Sequence, residues 1–207
     1  MKNTLLILFI IIANACNSNT SEENKETLTK EEYLNQLYTA KVIPLFDEYD
    51  NLNLPNEIHI DEKDLGINAG AAFGYLEVSR GLVELEDKTM QVFALAHELA
   101  HIATIPQAKE LQLKGGIPSG SQTNDYKKAE YLADLIAFHL ISKKLTEVYG
   151  QLNKNLDSLD EFLGYGSFTH PSGSNRIKSL KKYIDGIDIT NRKKSFSNRF
   201  KEIWTMN

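Results

Sequence analysis

Two histidines four residues apart, His97 and His101, with Glu98 between them, give the segment FALAHELAHIA (93–103) the densest chemical content in the chain. On an α-helix, residues i and i+4 share a face, so both imidazoles can be aimed at one ion. Glu98 points about 100° away from His97, close enough to reach a water on that ion without being a ligand. The pattern suits metal-assisted hydrolysis, with two nitrogen ligands and a carboxylate to move the proton. Two ordinary histidines satisfied inside a core helix would have the same spacing. Against that stands Glu98, because a carboxylate buried in so apolar a helix is costly unless something compensates it.

A catalytic zinc site usually has three protein ligands and one open position, so a third donor is needed. KAEYLADLIAF (128–138) offers Glu130 and Asp134, four apart on one helical face among Tyr131, Leu132, Ala133, Leu135 and Ile136. Acids on an otherwise core-like face need a cation or hydrogen-bond donors. Glu130 as third ligand, with Asp134 holding a ligand histidine by its second ring nitrogen, meets that need. A surface acid pair beside Lys127 and Lys128 is the alternative. His139 lies nine residues past Glu130, about 900° of helical rotation, and faces the other way.

The elements that must carry these residues follow from pattern and capping. Thr29 and Glu32 form an S/T-x-x-E capping box, which predicts a helix through Leu34, Leu37 and Tyr38 towards Pro44. EIHIDE (57–62) alternates as a short strand with His59 on its polar, surface side. A second strand is expected over about Ala72–Ser79, with Gly81 as a turn. Asp87 caps a helix from Lys88 to about Thr104 that is apolar on every side and therefore lies deep in the core. KGGIPSGSQTND (114–125) reads as a loop, followed by a helix over about Tyr126–Lys144. Phe196, Phe200, Ile203 and Trp204 share one helical face and predict a closing helix packed on the core, although a membrane-surface role has the same pattern. The class is α+β, predominantly α, with a small sheet beside the HExxH helix and one domain over residues 29–207.

The N-terminus carries a separate signal. Lys2 precedes nine uninterrupted apolar residues, Leu5–Ala13, too few to span a bilayer but suited to a signal peptide over residues 1–15. Ala13-Asn14-Ala15 fits ordinary cleavage, while Ala15-Cys16 resembles the end of a bacterial lipobox. Cys16 is the single cysteine, with no intramolecular partner, which favours a lipid on it. The polar run behind it makes residues 16–28 a flexible tether. The chain is expected to be exported, membrane-anchored through Cys16 in the cell envelope and facing the periplasm, or else secreted. Its 23 basic and 28 acidic side chains give a net charge of −5 with no basic patch interleaved with aromatics, so nucleic acid is not expected as a partner.

HELAH followed by EYLAD resembles the gluzincin arrangement, and further segments narrow the resemblance to zinc metallopeptidases of the HtpX and CAAX prenyl protease type. INAGAAFGYLEVSRGLVEL (67–85) is similar to the segment that leads into HExxH in that family. FTHPSGSNRI (168–177) is similar to its late T-H-P…R-I segment. The pieces occur in the family's order from about Ile67 to Ile177. The resemblance implies a zincin-like domain, one Zn2+ per chain on His97, His101 and Glu130, and endopeptidase activity on protein or peptide substrates. It also implies that His170 and Asn68 stabilise the developing oxyanion or bind substrate backbone, and that Arg176 steadies the local charge network. By itself, a histidine before Pro171 in a Gly/Ser-rich stretch reads as a loop residue.

Only 28 residues separate His101 from Glu130, which implies a small insert, and the membrane helices of the HtpX and prenyl-protease branches are missing. A soluble, exported branch is therefore the closer resemblance. The strand near Ala72–Val78 is expected to pair with an extended substrate by β-addition. An aminopeptidase would need an acidic motif such as G-x-M-E-N for the substrate amine, and none precedes His97. A lipoprotein that binds a partner and uses zinc structurally is the non-catalytic alternative.

Overall fold

The computed structural model describes residues 28–72, 74–116, 123–167 and 170–206. The expected signal peptide, Cys16 and nearly all of the tether lie outside the described residues. The chain enters through α1 (Lys30–Leu37), where Thr29 Oγ1 accepts from the Glu32 amide and the Glu32 carboxylate accepts from the Thr29 amide, the expected capping box. It stays helical past the expected end, through a wide turn over Tyr38–Val42 and a tight one over Ile43–Phe46. Pro44 sits at the first turn of the latter, where its missing amide hydrogen is not needed.

Three short strands follow, β1 (His59–Asp61), β2 (Ala69–Ala72) and β3 (Tyr75–Ser79), in the order β1-β3-β2. β1 runs parallel to β3, and β2 antiparallel to it, with Ala72 opposite Tyr75. The single strand expected over Ala72–Ser79 is thus the tip and second arm of a hairpin. The chain reverses beside Gly74, which adopts φ 76°, and the inward positions shift from Ala69 and Ala71 to Leu76 and Val78. The edge facing the site also changes: β3 is central, and β2 is the exposed-edge strand that packs against the long helix α3. His59 is exposed and stacks on Tyr75, with ring centroids 4.6 Å apart.

Gly81 is not a turn residue. It lies in α2 (Arg80–Glu84), which Ser79 caps by accepting from the Leu82 amide. A Cβ on Gly81 would come 2.1 Å from the Gly66 carbonyl oxygen, so the loop before β2 can press against α2 only because glycine is there. The Gly81 amide also donates to the Asp64 carbonyl at 3.2 Å. That loop leads directly into Asn68.

Asp87 caps α3 (Lys88–Glu110), its carboxylate accepting from the Thr89 and Met90 amides. The helix runs six residues beyond the expected Thr104 and passes through Pro106. Buried Gln107 and Ala108 hold the far side of the proline, and Tyr49 Oη donates to Gln107 Oε1 at 2.7 Å. α4 (Thr123–Lys144) starts three residues before the expected Tyr126 and packs along α3. Phe93, Leu95, Ala96, Leu99, Leu132, Leu135, Ile136 and Phe138 are fully buried between these helices and their neighbours, the deep core expected of α3.

The remaining helices are α5 (Thr146–Lys154), α6 (Leu156–Leu163), α7 (Gly173–Asp185) and α8 (Arg192–Trp204). α8 buries Phe196, Phe200, Ile203 and Trp204, the face expected to close the core. His139 is buried with them, stacked on Phe196 at 4.2 Å and hydrogen-bonded through Nδ1 to Tyr183 Oη at 2.7 Å. It takes no part in the metal centre. No helix among the described residues is long and apolar enough to cross a membrane. The architecture is mostly helical with a small three-stranded sheet, as the class expectation required.

Candidate metal centre

His97 and His101 project from one face of α3, and Glu130 meets them from α4. The two histidine Nε2 atoms are 3.1 Å apart. Glu130 Oε2 lies 3.3 Å from His97 Nε2, and Oε1 lies 3.4 Å from His101 Nε2. Ligand atoms about 2.0–2.2 Å from a tetrahedral ion sit roughly 3.3–3.6 Å from one another, close to these separations, with the two histidines facing different oxygens of Glu130. Glu130 Oε2 is buried and accepts no hydrogen bond. A buried carboxylate oxygen without a donor is costly, and a cation among these three groups would satisfy it. This buried cluster could hold a metal ion.

The charges around it favour a cation at the nitrogens. Burial alone would raise the Glu130 carboxyl, but contacts with His101 and His97 outweigh it and hold the group far below the usual carboxylate range. Burial and Arg176 both push the His97 imidazole down, yet Asp134 and Glu130 overcome them and lift it to about 9. Both shifts come from carboxylates packed against imidazoles in a poorly solvated place.

Asp134, one turn after Glu130, is completely buried, and its Oδ1 lies 2.9 Å from His97 Nδ1. That contact keeps a proton on Nδ1 and leaves Nε2 facing Glu130 and His101. Arg176 from α7 then closes on Asp134 with two bonds, Nε to Oδ2 at 2.8 Å and Nη2 to Oδ1 at 2.5 Å. Its Nη1 is 3.4 Å from Glu130 Oε2. Burial would raise Asp134, but the guanidinium outweighs it and keeps the carboxyl below its ordinary range. Arg176 is 5% exposed and touches the site through Asp134 and Glu130.

The open side is a cleft of about 170 Å³ bordered by His97, Glu98, Glu130, His170, Asn68 and Arg176, so every sequence-selected residue except His101 and Asp134 lines it. Glu98 is half-buried there. His170 is exposed, with Nε2 3.6 Å from Glu130 Oε1. Its approach is built by a tight loop: the Ser167 amide donates to the His170 carbonyl at 2.8 Å and the Gly173 amide to the Gly164 carbonyl at 2.7 Å. A Cβ on Gly173 would lie 2.1 Å from the Asp160 carbonyl oxygen, so glycine lets α7 start against α6. Asn68 is held by its backbone, donating to Ser79 Oγ and accepting from the Ser79 amide, both at 2.9 Å. Its side-chain amide extends to Asp64 Oδ2 at 3.4 Å.

The cleft also has apolar walls that motif reasoning missed: Leu82, Phe93, Ala94, Phe162, Leu163 and Ile67. Apolar residues carry no signal that separates a cleft wall from a core position. The i, i+4 relation of Ala94 to Glu98 was the one available hint. No family model, curated protein or solved structure matches this chain.

Proposed function

We propose that the chain is a zinc-dependent endopeptidase, similar to the HtpX and CAAX prenyl protease type and built on a zincin-like domain. We place it in the bacterial cell envelope, tethered by a lipid on Cys16. The observation that carries this reading is that His97, His101 and Glu130 meet at metal-binding separations beside an open cleft that Glu98 and His170 also line. A structural zinc site is closed by four protein ligands, whereas the donor set among the described residues has three, of which His97 and Glu130 border the cleft.

His97, His101 and Glu130 would hold the zinc, which when bound polarises a carbonyl and acidifies a water. Glu98 takes the proton of the attacking water and returns it to the departing amine. His170 and Asn68, which both line the cleft, hydrogen-bond the oxygen on which negative charge develops. Asp134 fixes the His97 tautomer, and Arg176 fixes Asp134. β2, the edge strand beside α3, offers backbone groups to an extended substrate, which favours recognition of backbone over side-chain identity.

Internally quenched peptides blocked at both ends test this reading. Wild type cleaves them, while Glu98→Gln retains zinc and loses at least ~100-fold in rate. Cleavage confined to peptides with a free N-terminus would point to an aminopeptidase instead.

A further inference from the structure

We infer that the face of the domain from which the tether leaves rests on an anionic phospholipid bilayer, and that this contact turns the cleft away from the membrane. The inference rests on the lipid proposed at Cys16. Leu28, the first described residue, is 48% exposed and lines a depression that shares Tyr33 and Lys88 with a groove between α1, α3 and α5. Cys16 lies 12 residues further back, a chain length of at most ~40 Å. A lipid there keeps this face near the bilayer.

Lys41, Lys88 and Lys144 line the groove, from the wide turn after α1, the start of α3 and the end of α4. All three are exposed, and their partners are neutral. Lys88 Nζ lies 4.5 Å from the centre of the Tyr33 ring, and Lys144 Nζ donates to the Pro44 and Leu45 carbonyls at 2.6 and 3.0 Å. Neighbouring cations differ: Lys30 is engaged by Glu84 and Glu86, and Lys143 by Glu48. α5 also begins in this groove, and its N-cap, Leu145, has no side-chain bond to offer the first amides. Those amides and the positive end of the helix add to the attraction for a phosphate. Between the lysines, Leu37, Leu145 and Val148 present apolar surface to the ester region beneath the headgroups.

Glu147 is the one acid lining the groove among the described residues, so the groove carries a net two positive charges on a chain of net charge −5. An anionic surface repels the rest of the chain, and this face is the one it accepts. Each lysine held at such a bilayer favours contact by about fivefold, so two net charges give roughly 30-fold. Val92 lines the groove and Ala94 the cleft. At about 100° per residue these two project roughly 200° apart around α3. A bilayer on the groove therefore leaves the cleft open to substrates in the aqueous phase.

The test is a lysine-acetylation footprint of the full chain on vesicles, read residue by residue by mass spectrometry. One set of vesicles is phosphatidylcholine alone, and the other is phosphatidylcholine with an equal part of phosphatidylglycerol. Lys41, Lys88 and Lys144 are expected to react at least ~10-fold more slowly on the charged vesicles, while Lys181 and Lys182 on α7 react alike on both. Lys41→Glu combined with Lys88→Glu, checked for folding by thermal melts, is expected to return Lys144 to its rate on neutral vesicles. Equal rates on both vesicles, slowing spread evenly over all lysines, or slowing of Lys144 that survives the double substitution overturns the surface. The mass of the N-terminal peptide reports the lipid separately. Slowed groove lysines with a bare Cys16 contradict the tether alone, and a lipid on Cys16 with unslowed lysines contradicts the surface alone.

Discussion

The contact between Asp134 and Arg176 is the support on which the metal centre stands, and the two residues can be separated experimentally. Asp134 is completely buried, Arg176 nearly so, and two hydrogen bonds of 2.8 and 2.5 Å join them. Asp134→Asn removes the negative charge and leaves the buried guanidinium with only the Glu130 carboxylate, 3.4 Å away, to offset it. Breaking a buried pair in this way costs roughly 3–5 kcal/mol, more than the attraction of the intact pair alone, because the remaining charge stays desolvated. The same change loosens His97, whose Nδ1 lies 2.9 Å from Asp134 Oδ1, and weakens metal binding by about 10–100-fold. Replacing both partners together, Asp134→Leu with Arg176→Met, removes both charges and is expected to recover most of the lost stability. Metal affinity is not recovered, because His97 still lacks its acceptor. Urea denaturation of the metal-free proteins measures the first quantity, and zinc titration against a competing chelator measures the second. Strictly additive single and double substitutions, or a double substitution that restores zinc affinity, would refute the reasoning.

Three further outcomes follow from other contacts. Gly81→Ala drives a Cβ to 2.1 Å from the Gly66 carbonyl and is expected to cost ~1–3 kcal/mol in thermal melts while lowering turnover with zinc content unchanged, because the loop into Asn68 shifts. Burial pushes the His139 imidazole down to about 3 from an ordinary 6.5, so the folded protein holds it neutral while the unfolded chain protonates below 6.5. Stability is therefore full above that value and falls by about 1.4 kcal/mol per pH unit toward 3, and His139→Phe is expected to flatten this acid limb in melts recorded across pH. Glu130→Gln removes the buried carboxylate charge facing the two imidazoles and is expected to abolish stoichiometric zinc retention by elemental analysis, with the fold preserved by circular dichroism.

The candidate ligand set was legible because each donor obeys a rigid local rule. His97 and His101 are fixed by helical periodicity, and Glu130 and Asp134 by their spacing on a face where acids need a reason. Arg176 and His170 were not legible from local rules. His170 reaches the site from the segment between α6 and α7 and Arg176 from the first turn of α7, and resemblance alone raised them. The hairpin was misread as one strand because no Asn-Gly or Asp-Gly pair and no polar residue marks the reversal, the apolar run Ala71-Ala72-Phe73 leading straight into Gly74. The end of α3 was placed too early because proline usually stops a helix, whereas here Gln107 and Ala108 are buried beyond it. The apolar walls of the cleft share their composition with the core and were invisible for that reason.

The central claim is tested most directly by reconstituting the metal-stripped chain with zinc in increments while following cleavage of a blocked peptide. The account predicts no activity in the stripped protein, a linear rise with added zinc, and a plateau at one ion per chain, with Glu98→Gln binding the same ion and remaining inactive. Cleavage that survives stripping, or zinc bound at one ion per chain with no hydrolysis of any peptide, would contradict it.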